Sequence, residues 1–266
     1  MLNNRQIQIL TEGISKASDI LLGYYHKKDL VTTLKEDNSP VTEADLASNH
    51  YITELLEREF PGIPVISEEN PKQAWSVRKT WDCCWILDPL DGTREFLARN
   101  DEFAINLALV HKNQPVVGLI SIPAKGLLYL GIKDEGSWSL QNGVRIPLPL
   151  HQTIPADQEI TALMSRSHTE PDEHRYLKSL EDKGYNVIIR PAGSSYKHVL
   201  LAEGSAHLYA KFGVCWEWDT APGQLIIEEA GGRVIRIDNQ KPLTYNKESF
   251  ANPGFIMWAP GVTQSL

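Results

Sequence analysis

Segments with helical spacing alternate with short apolar segments along the chain, and this alternation limits the possible folds more than any other feature. From Ile7 to Tyr24, apolar residues recur every three or four positions, which predicts an amphipathic helix with one buried stripe. A second helix is predicted from Thr42 to Phe60, because Pro61 follows and ends it. Interleaved helices and strands must each bury an apolar face, so the sequence predicts an α/β (α+β) fold built in layers.

The remaining predicted elements form two groups around a proline-rich stretch. The strands of the first group are predicted at 65–66, 81–87, 104–110, 116–122 and 127–132. The second group has strands at 160–164, 187–189 and 207–210 and near Val234 and Ile256, and helices at 171–183, 195–203 and 220–230. Three prolines between Ile146 and Pro155 interrupt regular structure. They predict one domain over 1–266 with two subdomains, about 1–155 and about 156–266.

Composition excludes several classes of protein. The 34 acidic and 26 basic residues give a net charge of −8 without any basic run, so no nucleic acid polymer is expected as a partner. Three cysteines are too few for a disulfide framework and predict a reducing, cytoplasmic location. No apolar stretch reaches the roughly 18–20 residues of a membrane span, so no integral membrane segment is expected. Peripheral association with the inner membrane and the oligomeric state stay open.

The segment with the most potential functional groups lies between Trp85 and Thr93, in the sequence WILDPLDGT. An apolar strand leads into Asp88 and Asp91 across a proline-stiffened turn, which can direct both carboxylates and an intervening carbonyl to one point. Such hard oxygen ligands suit Mg²⁺ and leave coordination positions for water and a phosphate. Gly92 would let the backbone approach a ligand closely, and Thr93 adds a hydroxyl group. The alternative is an ordinary β-turn, because Asp-Pro and Asp-Gly are common turn formers.

Three further acidic sites accompany this turn, and each has a purely structural alternative. Glu68 follows an apolar strand, where two adjacent acids commonly form a solvated loop edge. Asp219 stands where a helix is expected to begin and would serve there as an N-cap or first-turn acid. Asp45 lies three residues after Thr42, as in a capping box. A capping residue can also take part in chemistry, so both roles of Asp45 stay open.

Four motifs taken together resemble those of a known enzyme superfamily. They are SPVTEAD at 39–45, SEE at 67–69, DPLDGT at 88–93 and WDTAPG at 218–223. Their order and spacing are similar to those of the lithium-sensitive, magnesium-dependent phosphatases that include inositol monophosphatase. The resemblance covers essentially the whole chain and implies a layered αβαβα sandwich. Segments at 165–168, 193–197, 202–204 and 252–255 resemble the 3′(2′),5′-bisphosphate nucleotidase (CysQ) branch of this superfamily.

By this resemblance, the acidic residues form a site for two or more Mg²⁺ ions. The implied metal ligands are Glu68, Asp88, Asp91, Asp219 and the carbonyl group of Leu90. Asp45 and Thr93 would orient and deprotonate the attacking water. The implied substrate-binding residues are Gly92, Thr93, His168, Ser194, Lys197, Lys211 and Asp219. Lys211 departs from the family pattern, because relatives often carry arginine there, and lysine keeps the charge without the bidentate geometry.

The activity that the resemblance implies is magnesium-dependent hydrolysis of a phosphomonoester. The substrate would be 3′-phosphoadenosine 5′-phosphate (PAP), cleaved to AMP and phosphate by a metal-activated water, which would control the pools of PAP and its sulfated form in sulfur metabolism. A chain with a net charge of −8 can hold such a bisphosphate nucleotide only through metal ions and local cations. One alternative is an inositol mono- or polyphosphate phosphatase with the same metal site. A second is a non-catalytic regulator that binds Mg²⁺ or a nucleotide.

Overall fold

Two large β-sheets and the helices packed on them form the framework of the protein, and the short strands Thr32–Leu34 and Pro40–Thr42 form a separate antiparallel pair. The structure is a computed structural model that describes residues 2–27, 32–34, 40–151, 158–166 and 169–262. The helices are α1 (Asn4–Tyr25), α2 (Glu43–Glu59), α3 (Trp75–Arg78), α4 (Thr93–Leu97), α5 (Pro171–Asp182), α6 (Tyr196–Glu203) and α7 (Glu217–Glu229). The strands are β1 (Thr32–Leu34), β2 (Pro40–Thr42), β3 (Val65–Ser67), β4 (Cys83–Asp91), β5 (Ala104–His111), β6 (Gln114–Ile122), β7 (Leu127–Ile132), β8 (Gly136–Gln141), β9 (Val144–Pro147), β10 (Glu159–Ser165), β11 (Asn186–Ala192), β12 (Leu208–Lys211), β13 (Arg233–Arg236) and β14 (Phe255–Trp258).

The larger sheet has seven strands in the order β3-β4-β5-β6-β7-β8-β9. β3 and β4 are parallel, and every later pair in this sheet is antiparallel. The smaller sheet has five strands in the order β11-β10-β12-β14-β13, and β10 is parallel to both of its neighbours. The larger sheet is therefore built from the chain before the smaller sheet begins. The subdomain junction predicted near residue 155 lies outside the described residues.

The helices and sheets stack in five layers. α1 and α2 cover one face of the larger sheet, α6 and α7 lie between the two sheets, and α5 covers the outer face of the smaller sheet. The side chains of β4 alternate between two of the resulting cores, as the pleat of a strand requires. Trp85 and Leu87 belong to the core shared with α1 and α2, whereas Cys84 and Ile86 belong to the core shared with α7. This αβαβα order confirms the predicted fold class.

Helix α7 lies in close contact with the larger sheet, and two glycines make this possible. A Cβ atom at Gly118 of β6 would lie 2.8 Å from the carbonyl oxygen of Pro222 in α7, a distance that real side chains do not tolerate. A Cβ atom at Gly131 of β7 would lie 3.1 Å from the side chain of Ile226. Because the helix can rest directly on the sheet, its first turn reaches the end of β4.

Most predicted elements are present, and the differences concern their ends. β4 continues to Asp91, past the end predicted at Leu87, because both of its acids keep pairing with β5. Helix α7 begins at Glu217 rather than Thr220. Asp219 therefore lies inside the first turn of the helix and not before it.

Strands β8 and β9 were not predicted. They form a hairpin that extends the larger sheet, and β9 occupies 144–147, at the start of the proline-rich stretch. The strand includes Pro147 because β9 is an edge strand, where a missing N–H donor costs little.

None of the described helices combines the length and the apolar character that a membrane span needs.

Candidate active site

A cavity of about 400 Å³ opens where the end of β4, the start of α7 and the turn before α6 meet. The residues predicted from the sequence that line it are Glu68, Asp88, Leu90, Asp91, Gly92, Thr93, Ser194, Lys197, Lys211 and Asp219. Asp45 lies directly behind this lining and accepts a hydrogen bond from Thr93. The fold thus brings together every predicted site residue that the structure describes. His168 lies outside the described residues.

The end of β4 delivers its two acids through an irregularity in the strand. Asp88 and Asp91 both pair with β5, but β4 uses one more residue than its partner between them, as in a β-bulge. The Ser48 hydroxyl of α2 donates a hydrogen bond to the carbonyl oxygen of Pro89 at 2.8 Å, and the Leu90 N–H donates to Asp88 Oδ1 at 3.0 Å. The sequence predicted that a turn after the strand directs the two carboxylates to one point, whereas in the structure a bulge within β4 places them.

Three carboxylates meet in the cavity wall. Asp88, Asp91 and Asp219 each offer an oxygen, and these oxygens lie within 4.8 Å of one another. Burial raises the pKa of all three carboxyl groups. The charges of Asp91 and Glu68 raise the pKa of Asp88 and Asp219 further, with that of Asp219 reaching about 8. Closely spaced buried anions repel one another, so this cluster favours a bound cation.

Asp91 is held by three hydrogen bonds from two parts of the fold, strand β5 and the turn before α6. Its Oδ2 accepts hydrogen bonds from the Ser195 N–H at 2.6 Å, the Ser195 hydroxyl at 2.5 Å and the Asn106 side-chain amide at 3.1 Å. The sequence did not single out Ser195 or Asn106. Ser195 lies within the Gly-Ser-Ser segment at 193–195, which offered a signal, whereas Asn106 lies in a strand pattern that offered none.

Asp219 occupies the third position of α7, where its carboxylate caps the helix. Its Oδ2 accepts hydrogen bonds from the Trp216 N–H at 2.9 Å and from the Cys215 thiol at 3.2 Å. The first-turn role considered from the sequence is therefore present. It coexists with the position of Asp219 in the carboxylate cluster.

Asp45 and Thr93 form the pair expected from the sequence. The Thr93 hydroxyl donates to Asp45 Oδ1 at 3.2 Å, while Asp45 Oδ2 accepts from the Thr42 N–H at 2.8 Å and the Thr42 hydroxyl at 2.5 Å. The predicted capping box is confirmed. Burial raises the pKa of Asp45 even though the bonds from Thr42 and Thr93 lower it. One oxygen thus serves the helix cap, and the other faces the cavity lining.

Gly92 connects the carboxylate-bearing strand to α4 in a conformation that requires glycine. Its φ is +86°, in the left-handed region. A Cβ atom there would also lie 3.0 Å from the Cβ of Ser194. Any side chain at this position would be strained and crowded, so glycine lets β4 and the turn before α6 approach each other across the cavity.

Ser194 and Lys197 enter the cavity wall from the turn before α6. Ser194 has a φ of +42°, and its hydroxyl donates to the carbonyl oxygen of Glu102 at 2.5 Å. The buried ammonium of Lys197 donates to the carbonyl oxygens of Ser194 at 2.8 Å and Ala192 at 3.4 Å. Burial lowers the pKa of Lys197, and the charge of Asp91 opposes this change. Lys197 therefore lies beside the carboxylate cluster as well as in the cavity wall.

Lys211 has a structural partner that the sequence did not reveal. Its Nζ lies 3.2 Å from Glu173 Oε1 of α5, and both side chains are buried. The Phe212 N–H also points to this oxygen, at 3.4 Å. The residue proposed to hold substrate thus also neutralises a buried glutamate.

Lys211→Met is expected to lower the free energy of unfolding by about 3–5 kcal/mol, because it leaves Glu173 buried without its cation. Adding Glu173→Gln should recover most of that loss, measured by urea denaturation. Lys178→Met, at an exposed lysine of α5, is the matched control and should change stability little. Equal losses in the single and double variants would contradict the ion-pair explanation.

A network beside the cavity fixes the turn that carries Ser194 and Ser195. Arg166 donates two hydrogen bonds to the Glu102 carboxylate, at 2.7 and 2.9 Å, and the Gly193 N–H donates to the same carboxylate at 2.7 Å. Burial opposes ionisation of Glu102, but these bonds outweigh it and lower its pKa. Segment 165–168 was assigned to substrate binding from the sequence; in the structure Ser165 lines the cavity, and Arg166 is bound to Glu102.

Known proteins share both the sequence pattern and this geometry. A family model described as the inositol monophosphatase family matches residues 3–263. The chain belongs to this family. Membership in the inositol monophosphatase family confirms the resemblance inferred from the four motifs.

Within the inositol monophosphatase family, the chain is similar to proteins named CysQ. The 3′(2′),5′-bisphosphate nucleotidase CysQ of Salmonella typhimurium is 40% identical over 241 residues, covering 90% of this chain and 94% of the relative. CysQ of Aggregatibacter actinomycetemcomitans is 36% identical over 269 residues, covering 100% of this chain and 96% of the relative. The crystal structure of CysQ from Bacteroides thetaiotaomicron has a TM-score of 0.83 and 37% identity, covering 95% of this chain and 96% of that chain.

Proposed function

We propose that this protein is a magnesium-dependent 3′(2′),5′-bisphosphate nucleotidase that hydrolyses PAP to AMP and phosphate. The observation that carries the proposal is the cluster of Asp88, which is buried, with the half-buried Asp91 and Asp219; their oxygens lie within 4.8 Å of one another in the wall of a cavity. The bisphosphate nucleotidase name of the CysQ relatives supports the choice of substrate class.

The donor set fits Mg²⁺. The cluster supplies the hard carboxylate oxygens that this ion prefers, and the raised pKa values of its acids reflect the cost of burying their charges together. Glu68 and the carbonyl group of Leu90, whose residues line the same cavity, complete the proposed ligands for two or more ions. When bound, Mg²⁺ ions neutralise phosphoryl oxygens and lower the pKa of water.

The chain's own residues provide the proton transfer that hydrolysis requires. Water that attacks the 3′-phosphorus must lose a proton, and the Thr93 hydroxyl can accept it while passing its own proton to Asp45 Oδ1. Burial raises the pKa of Asp45, which makes this carboxylate a better base. The bond between phosphorus and the ribose 3′-oxygen breaks, and that oxygen takes up a proton from solvent water and leaves as the 3′-hydroxyl group of AMP. The proton held by Asp45 returns to solvent, which restores the carboxylate.

The second phosphate separates a bisphosphate nucleotide from an inositol monophosphate. In this proposal Gly92 and Thr93 contact the phosphate that is transferred. Ser194, Lys197 and Lys211 line the same cavity and are proposed to hold the other phosphate. Lys197 is the main candidate, because Lys211 is already paired with Glu173. His168 remains a prediction from the sequence.

Lys197→Ala is expected to reduce kcat/KM for PAP by roughly ten- to over a hundred-fold, the cost of losing a charge-assisted hydrogen bond. The reduction should be small for inositol 1-phosphate, which has no second phosphate. Mg²⁺ affinity, measured by calorimetry, should be maintained, since removing a cation beside Asp91 does not weaken its attraction for metal.

Lys178→Ala, at an exposed lysine, is the control and should leave both substrates unaffected. If Lys197→Ala instead depresses both substrates equally, Lys197 does not select the nucleotide. The proposal then loses this support, and the result favours an inositol phosphatase instead.

We place the reaction in sulfur metabolism, where it would control the pools of PAP and its sulfated form. A cytoplasmic location accords with Cys83, Cys84 and Cys215, all of which carry free thiols.

A further inference from the structure

Two exposed apolar side chains belong to the wall of the candidate active site. Trp216 is 40% exposed and Val214 is 70% exposed, and both line the cavity near Asp219. Exposed apolar surface inside a concave site commonly marks a ligand contact. The proposed metal ligands, the proton-transfer pair and the phosphate-binding cations make no use of these two side chains.

Both main-chain polar groups of Trp216 are hydrogen-bonded. Its N–H donates to Asp219 Oδ2 at 2.9 Å, and its carbonyl oxygen accepts from the Asn252 side-chain amide at 2.9 Å. Trp216 also forms an isolated β-bridge with Ala251. The exposure of its side chain therefore belongs to a segment that is held in place, directly beside a proposed metal ligand.

The indole ring of Trp216 is also held in orientation. It stacks on Trp218, with ring centroids 5.6 Å apart and an interplanar angle of 16°. Trp218 is buried and packs against Phe250, with centroids 5.6 Å apart. One face of the Trp216 ring is thus supported by the buried Trp218, which Phe250 backs, while the Trp216 side chain keeps substantial exposure. Such a preorganised aromatic surface loses little entropy when a ligand stacks on it.

We propose that Trp216, with Val214 beside it, is the platform on which the nucleobase of the substrate stacks. This inference rests on the proposed nucleotidase function and deepens it. A nucleoside 3′-phosphate carries its base and its reacting phosphate on one ribose, and Trp216 is hydrogen-bonded to Asp219 at the reacting end of the cavity. Aromatic stacking accepts any base because every base has a π face. An inositol ring has none, so the platform selects nucleotides over inositol phosphates.

The test compares PAP with a base-free analogue, the ribose 3,5-bisphosphate that carries hydrogen in place of the nucleobase. Trp216→Ala is expected to reduce kcat/KM for PAP by about five- to a hundred-fold, mainly through KM, as for the loss of one base–aromatic stack. Hydrolysis of the base-free analogue should change little. Trp216→Phe keeps a flat ring and should retain most of the activity on PAP. Trp75→Ala removes a half-buried tryptophan outside the cavity lining and should leave both substrates unaffected.

Equal losses on both substrates in Trp216→Ala would overturn the inference, because the residue would then act through Asp219. No loss on either substrate would overturn it as well.

Titration calorimetry with AMP and with ribose 5-phosphate separates this inference from the proposed function. If the wild-type protein hydrolyses no nucleotide, the proposed function fails. If Trp216 is a stacking platform, Trp216→Ala should still weaken the binding of AMP more than that of ribose 5-phosphate, and Trp216→Phe should not. Equal AMP affinity in the wild type and in Trp216→Ala would refute the platform.

Discussion

Asp91→Asn is expected to reduce kcat/KM for PAP by about a hundred-fold or more and to weaken Mg²⁺ binding. Asp91 is one of the proposed metal ligands in the carboxylate cluster, and its Oδ2 is oriented by Ser195 and Asn106. Asparagine keeps the shape and one acceptor oxygen for these donors, so the substitution removes chiefly the charge. Phosphate release and titration calorimetry with Mg²⁺ measure the two effects.

The same substitution is expected to raise the Tm of the metal-free protein. Burial raises the pKa of Asp91 above its value in the unfolded chain, so ionisation destabilises the folded state, and this penalty grows as pH rises above the unfolded pKa. Asparagine removes the penalty, and the gain in Tm should therefore be larger at neutral pH than in mild acid. Asp82→Asn, at an exposed acid just before β4, is the control. An Asp91→Asn variant that stays active, or that is less stable without metal at neutral pH, would contradict the account of the carboxylate cluster.

Asp45→Asn is expected to lower kcat by about 10²–10⁴-fold, the usual contribution of a general base, with little change in Mg²⁺ affinity. The amide oxygen can still accept the hydrogen bond that Thr93 donates, but it no longer takes up a proton. Steady-state phosphate release gives kcat, and calorimetry gives the Mg²⁺ affinity. A parallel loss of Mg²⁺ affinity would place Asp45 among the metal ligands instead.

Because Asp45 also belongs to the cap of α2, the capping role needs its own variant. Thr42→Ala removes the N-cap side chain and is expected to lower the free energy of unfolding by about 1 kcal/mol. Its effect on kcat should be much smaller than that of Asp45→Asn. If Thr42→Ala reduces kcat as strongly as Asp45→Asn, the loss in both variants comes from the helix cap and not from a lost base.

Local patterns in the sequence predicted the layered α/β class, whereas the αβαβα order and the set of site acids came from the family resemblance. The strand that became β4 was predicted from its apolar run, and the capping box at Thr42 and Asp45 was predicted from residue spacing. The pairing of Thr93 with Asp45 came from the family resemblance and is present as a hydrogen bond.

The contacts that the sequence missed join residues far apart in the chain. Asn106 and Ser195 hold Asp91, and Glu173 neutralises Lys211, through side chains whose partners are set by the packing of separate layers. No periodicity or short motif encodes such pairs. The extension of β4 through Asp91 was missed for a related reason, since its continued pairing depends on β5.

Phosphate release from PAP and from inositol 1-phosphate, each measured with Mg²⁺ and with excess chelator, tests whether this protein is a magnesium-dependent bisphosphate nucleotidase. The proposal expects rapid release from PAP with Mg²⁺, little release from inositol 1-phosphate, and loss of both in chelator. Full activity in chelator would contradict a reaction that depends on the Asp88, Asp91 and Asp219 cluster. A higher kcat/KM for inositol 1-phosphate than for PAP would contradict the nucleotidase assignment.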